Sequence, residues 1–233
     1  MSIVTIIPAR SGSKSIPKKN IQHLNGKPLI EHSISYSLRC SLVNDTILST
    51  DCEEISALGR QFGASVPFLR PKCYALDDSR DYDFMRHALD FLDNQDRVYD
   101  YYVLLRPTSP LRPAGLIERA VDILNKNSQA SSVRSMARTD EHPYRCWTPL
   151  EGGNVAPFVS DIEESYNIPR QSLPVVLFQT GDIEVVRRHT LLNGSVSGKS
   201  VFPLILEHSD MMDIDHPTDL RAAEKLMIDK GSQ

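Results

Sequence analysis

Short apolar runs alternate along this chain with amphipathic stretches of helical period. SIVTII (2–7) is a β-branched run of the kind that forms a strand buried on both faces. NGKPLIEHSISYSLR (25–39) reads as a helix, with Pro28 in its first turn and Leu29, Ile30, Ile34 and Leu38 as its stripe. DTILST (45–50) is a strand and EEISALGRQFG (53–63) a helix closing at Gly63. SVPFLR (65–70) is a short extended piece, DYDFMRHALDFLDNQ (81–95) a helix, and DYYVLL (100–105) a strand. PAGLIERAVDILNKN (113–127) carries Leu116, Ala120, Val121 and Leu124 on one helical face, and ASSVRSM (130–136) is the next strand.

Strands alternating with helices predict an α/β fold, a mainly parallel sheet with right-handed crossovers. The alternation breaks at Arg138. From there to Gln171 the chain is rich in Pro, Gly and Glu, with Trp147 and little periodicity, which predicts an arm or small subdomain inserted at 138–171 into a single domain spanning 1–233. Extended segments PVVLF (174–178), DIEVVRR (182–188) and SVFPLIL (200–206) follow. HPTDLRAAEKLMIDKG (216–231) is a helix with Pro217 and Asp219 in its first turn, where the helix dipole favours an acid.

Composition narrows the function classes. The 233 residues carry a net charge of −4, so bulk charge gives no indication of nucleic-acid binding. Cys40, Cys52, Cys73 and Cys146 form no C-x-x-C pair, which argues against a zinc site and fits reduced thiols. The apolar run in MSIVTIIPAR is too short for a signal peptide or a membrane span, so a cytoplasmic location and no membrane partner are expected.

Charge is distributed unevenly. IIPARSGSKSIPKKN (6–20) places Arg10, Lys14, Lys18 and Lys19 directly after the first strand, whereas the first acidic residue of the chain is Glu31. Small residues (Ala9, Ser11, Gly12, Ser13) let backbone N–H groups approach an anion, and the four cations around them suit a polyphosphate; a solvated basic loop is the alternative. Neither G-x-G-x-x-G nor G-x-x-x-x-G-K-[ST] is present here. GSVSGKS (194–200) has the wrong glycine spacing and precedes a strand, so it reads as a plain loop. In MMDIDHPTDL, Asp213 and Asp215 would share a face in extended chain and could meet one hard cation, although Asp215 could instead cap the following helix. LLRPTSPLRP (104–113) offers Arg106, Thr108, Ser109 and Arg112 on a proline-stiffened loop suited to a polar or anionic small molecule, or to a simple turn into the next helix.

Taken in order, IIPARSGSKSIPKKNI, STDCEEI, VPFLRP, RPTSPLR, IPRQSLP and DIDHPTDLRAAE resemble the motifs of the cytidylyltransferases that activate sialic acid and related nonulosonic acids as CMP-sugars. The resemblance spans nearly the whole chain. It implies a nucleotidyltransferase fold with a dimerisation arm, and transfer of CMP from CTP to an acid sugar with Mg2+. By that resemblance, Arg10 and Lys19 neutralise the triphosphate and the leaving pyrophosphate, while Ala9, Ser11, Ser13 and Asn20 line the nucleotide. Arg70 and Ser79 lie near the cytidine, Asp213 and Asp215 hold the metal, Arg106, Thr108 and Ser109 face the sugar acid, and Arg170 contacts substrate. The alternatives are an enzyme for another acid sugar, such as 3-deoxy-octulosonate, and a catalytically silent nucleotide-binding homologue. Two departures stand out: Arg106 replaces the Gln usual in sialic-acid enzymes, and YALDDSRDYD (74–83) replaces a small, Ser-rich segment.

Overall fold

The computed structural model describes residues 1–231. In chain order the main elements are β1 (Ile3–Pro8), a small hairpin of β2 (His23–Leu24) and β3 (Lys27–Pro28), α1 (Leu29–Arg39), β4 (Asp45–Ser49), α2 (Glu53–Gln61), α3 (Asp81–Asp93), β5 (Tyr101–Leu104), α4 (Leu116–Lys126) and β6 (Ser132–Arg138). The second half adds β7 (Trp147–Pro149), β8 (Val155–Pro157), β9 (Leu177–Arg187), α5 (Arg188–Leu192), β10 (Val201–Ile205) and α6 (Pro217–Gly231).

Six strands form one sheet in the order β10-β6-β9-β5-β1-β4. All run parallel except β9, which is antiparallel to both β5 and β6. The sheet is therefore mixed, and the reason is local: the chain returns from β6 without a covering helix, and only such a crossover makes neighbouring strands parallel. PVVLF and DIEVVRR, expected as separate pieces, merge across Gly181 into the single strand β9. Between β6 and β9, the arm region holds the two-stranded β7–β8 sheet and short 3₁₀ turns.

β1 shows why the sheet can be covered on both sides. Its Ile3 and Ile7 join Ile30, Ile34, Leu116 and Leu124 of α1 and α4 in one cluster, whereas Val4 and Ile6 join Phe84, Met85 and Leu89 of α3 in another. A third cluster is smaller: Ile16, Leu24 and Leu29 near the N-terminus pack against Ile214 and Ala223 near the C-terminus.

Helix starts differ from expectation where the backbone is left-handed. Asn25 (φ 50) and Gly26 (φ 76) form the two-residue turn of the β2–β3 hairpin, so α1 begins at Leu29, with Pro28 before it. Gly115 (φ 78) likewise precedes α4, which begins at Leu116 rather than near Pro113.

The GSVSGKS segment is a loop leading into β10. Its Gly198 has φ +68, and a Cβ there would lie 2.3 Å from the Ser131 Cβ. Gly198→Ala should therefore destabilise the fold by about 1–3 kcal/mol through strain and overpacking. Urea unfolding checks this, and an unchanged midpoint would refute the steric account.

Candidate functional site

A cavity of about 520 Å³ opens beyond the carboxyl ends of β1 and β5, the place where open α/β sheets bind ligands. Arg10, Ser13, Lys19 and Asn20 line it from the basic loop, Arg70 and Ser79 from the chain between β4 and α3, Arg106 and Thr108 from the loop after β5, and Asp215 from the approach to α6. Nine of the residues to which the resemblance assigns a site role thus meet in one space, although they come from four separate stretches of chain.

The basic loop is held from within and from behind. Asn20 Nδ2 donates to the Arg10 carbonyl at 2.9 Å, and buried Ile16 belongs to the third hydrophobic cluster. Lys19 Nζ donates to the Ile214 carbonyl at 3.0 Å and to Asp215 Oδ1 at 2.9 Å. The other cations also meet carboxylates from elsewhere in the chain. Arg10 lies 2.8 Å from Asp77, which also receives Lys14, and Lys18 lies 2.7 Å from Glu54. The Lys14 ammonium foremost, with Arg10 beside it, holds the Asp77 carboxyl below the usual range. Exposed pairs of this kind contribute little stability, so a polyvalent anion can displace them at small cost.

Arg70 is almost fully buried. It donates from Nε to Ser49 Oγ at 2.9 Å and from Nη2 to the Ser49 carbonyl, and it lies over the Phe84 ring at 4.6 Å. Burial pushes its pKa down to about 10. Much of its donor capacity is therefore spent on shaping the wall.

On the opposite wall, Arg106 Nη2 meets both Asp81 and Glu184, the latter at 2.7 Å. Burial works against its charge, but those two carboxylates leave its pKa above the ordinary value. Arg112, from the same loop, is buried instead. It donates to the carbonyls of Arg106 and Asp182, and to Ser33 Oγ at 3.0 Å, and so braces the loop from behind.

Several expected site residues do not line the cavity. Ala9 is fully buried, with its N–H donating to the Ser49 carbonyl at 2.9 Å. Ser11 turns away, donating from N (2.8 Å) and Oγ (2.7 Å) to Asp51. Ser109 is buried near Gly181, and Arg170 lies in the arm beside a second cavity with Arg138, His142 and Arg145.

Asp213 is exposed beside Thr108, whose side chain hydrogen-bonds its carboxyl, and residues 211–215 are not a strand, so the same-face argument for Asp213 and Asp215 does not hold here. Partial desolvation by the surrounding chain first, and then the nearby Asp215 charge, raise the Asp213 pKa. A cation between these two carboxylates would relieve that penalty, and two carboxylates completed by substrate phosphates suit magnesium. Among the described residues no cluster of three or more His, Cys, Asp or Glu offers an all-protein cage. Asp215 does not cap α6. Asp219 does, accepting from the N–H of Asp215 at 2.9 Å and of His216 at 2.6 Å. This leaves the Asp215 carboxylate to Lys19.

Sequence reasoning missed Asp77, Asp81 and Glu184. The acidic run in YALDDSRDYD was the available signal for the first two, while Glu184 lay inside an apolar strand with nothing to mark it.

Comparison with known proteins identifies the family. Residues 4–149 match the cytidylyltransferase family. The CMP-N,N'-diacetyllegionaminic acid synthase of Legionella pneumophila is 33% identical over 231 residues, covering 97% of each chain. The N-acylneuraminate cytidylyltransferase of Escherichia coli is 30% identical over 232 residues, covering 99% of this chain and 53% of its own, so this chain spans about half of that relative. Among solved structures, a CMP:2-keto-3-deoxy-manno-octonic acid synthetase complexed with CTP superposes with a TM-score of 0.72 at 18% identity, covering 99% of this chain and 100% of that one, a likeness of fold.

Asp219→Ala should cost about 1 kcal/mol in unfolding free energy at neutral pH. Hydrogen bonding from the His216 N–H holds the Asp219 carboxyl below its ordinary value. The wild-type advantage is thus complete above the unfolded carboxylate pKa of about 4 and is lost as pH falls through the lower, folded value. Urea titrations of both proteins at several pH values check the sign; a difference that grows towards acid would refute the cap.

Proposed function

We propose that this chain, which belongs to the cytidylyltransferase family, transfers CMP from CTP to the anomeric hydroxyl of a nonulosonic acid and releases pyrophosphate. The observation that carries the reading is the Lys19–Asp215 pair. It brings a cation of the first loop and a carboxylate of the C-terminal segment into one cavity, opposite Arg106 and Thr108. The names of the relatives support the acceptor class: they act on legionaminic and N-acylneuraminic acids.

The roles follow from charge and position. Nucleotidyl transfer needs charge neutralisation and in-line alignment more than covalent catalysis. Arg10 and Lys19 neutralise the triphosphate and the departing pyrophosphate, exchanging Asp77 and Asp215 for phosphate oxygens. Ser13 and Asn20 face the nucleotide from the loop, Ala9 and Ser11 shape it, and Arg70 and Ser79 bound the cytidine side. Arg106 and Thr108 receive the acid sugar, with Ser109 behind them. Asp213 and Asp215 would hold magnesium, which would supply positive charge to the phosphates and the attacking oxygen. The sugar hydroxyl oxygen bonds to the α-phosphorus, the bond to the β-phosphate oxygen breaks, and the hydroxyl proton passes to solvent.

The arm would pair two copies of the chain and bring Arg170 towards the partner's site. It exposes Trp147, Leu150, Val155 and Phe158, which a neighbour would cover. The setting would be cytoplasmic. Among the described residues no helix is long and apolar enough to cross a membrane.

With CTP and magnesium, pyrophosphate release is expected with at least one of N-acetylneuraminate, legionaminate-type and pseudaminate-type acids; silence with all three, or release only with 3-deoxy-octulosonate, would refute the reading. Asp215→Asn should lower turnover by at least about 100-fold without changing the circular dichroism, since it removes charge stabilisation worth about 3 kcal/mol. Light scattering at micromolar concentration should give twice the chain mass of 26.2 kDa; a monomer would refute the dimer.

A further inference from the structure

Glu184 sits in the middle of the sheet. On β9 it pairs in register with Leu104 of β5 on one side and Arg134 of β6 on the other. Its side chain is 3% exposed. A lone carboxylate so buried would cost several kcal/mol, and one well-placed cation would relieve it. Glu184 has two. Arg134 Nη2 lies 2.6 Å from Oε2, and Arg106 Nη2 lies 2.7 Å from Oε1, which also accepts from Gln179 Nε2 at 3.1 Å. Arg134 alone would meet the structural need. Of the two, only Arg106 lines the cavity.

Asp81, which caps the same guanidinium from the first turn of α3, completes a quartet. Two guanidiniums face two carboxylates, and the charges of these four groups sum to zero. Arg106 thereby lacks the uncompensated charge with which a phosphate or carboxylate would be captured. Both carboxylates meet the same nitrogen, Nη2, while Nη1 makes only a 3.5 Å contact to the Gly181 carbonyl. Two carboxylates on one nitrogen hold the fork in one orientation, and because Arg106 lines the cavity, N–H donors beyond Nη2 remain for a ligand there. Donors whose charge is already compensated suit a neutral acceptor oxygen.

We propose that Glu184 is a positioning residue that holds Arg106 as a charge-compensated hydrogen-bond fork, and that this fork selects acceptors presenting an acyl carbonyl oxygen there rather than a hydroxyl or a second anionic group. This rests on the acid-sugar reading of the cavity. The fork acts on a neutral arm of the sugar, away from the carboxylate beside the reacting carbon.

The test is steady-state kinetics of the wild type, Glu184→Gln and Arg106→Gln with a diacylamino nonulosonate and with N-acetylneuraminate. Glu184→Gln keeps the shape and removes one negative charge. It should raise KM for the diacylated acceptor by about 10-fold or more while KM for CTP moves less than about 2-fold, because the lost element is orientation of one fork. Arg106→Gln should shift the ratio of kcat/KM towards N-acetylneuraminate by about 10-fold. This second variant decides the matter if Glu184→Gln fails to fold, since Arg106 is not needed to neutralise Arg134. Two outcomes would overturn the proposal: a Glu184→Gln enzyme whose melting temperature falls but whose acceptor KM stays at the wild-type value, or an Arg106→Gln enzyme with unchanged acceptor preference. A wild type that binds CTP but turns over no nonulosonate would instead overturn the acid-sugar reading, and this proposal with it.

Discussion

One contact joins the two ends of the molecule at its working surface. Lys19 Nζ bridges the Ile214 carbonyl and the Asp215 carboxylate, 195 and 196 residues away in sequence. The ammonium is largely buried, with its side chain 12% exposed, so it has few alternative partners. What makes the contact possible is apolar: Ile16 below the loop packs with Ile214 and Ala223 of the C-terminal segment. The hydrophobic cluster supplies the free energy that brings the segments together, and the ion pair fixes how they meet. Without that cluster the basic loop would be a solvated strip of chain beyond β1.

The second organising constraint is charge compensation. A loop bearing four cations and no acid is costly to hold together by itself. The fold answers by bringing Asp77, Glu54 and Asp215 to it from three other segments. In the proposed reaction these carboxylates would give way to phosphate oxygens. Binding of a triphosphate there would accordingly be an exchange of anions on a loop already arranged by its ion pairs.

Much of this was legible in the sequence because strands and helices buried on one face carry a period. β1, β4, β5, α2 and α3 follow the hydrophobic pattern closely, since packing on both sides of the sheet dictates it. What the pattern conceals is decided by backbone sign or by distant partners. Asn25–Gly26 is a strong hairpin signal, yet the apolar stripe after Pro28 invites the helix to start too early. Arg106 and Arg112 stand in one short motif with the same chemistry, but one faces a cavity and the other is buried against carbonyls; only the three-dimensional position of Asp182 and Ser33 separates them. Glu184 was invisible for a related reason. A charged residue inside an apolar strand looks like an interruption until its two arginines arrive from β6 and from the loop after β5.

The break in register between β6 and β9 separates the buried charges of the sheet from the arm. The pairing slips between Arg134 and Met136, with Gly181 (φ +80) on the facing strand. Below the slip lie Arg134 and Glu184; above it the same two strands run out into the arm. A strand that gained or lost one residue would normally turn every side chain beyond that point to the opposite face. Here the irregularity works as an expansion joint: it absorbs the change of register, so the buried carboxylate at its foot keeps its face and its arginines whatever path the strands take into the arm.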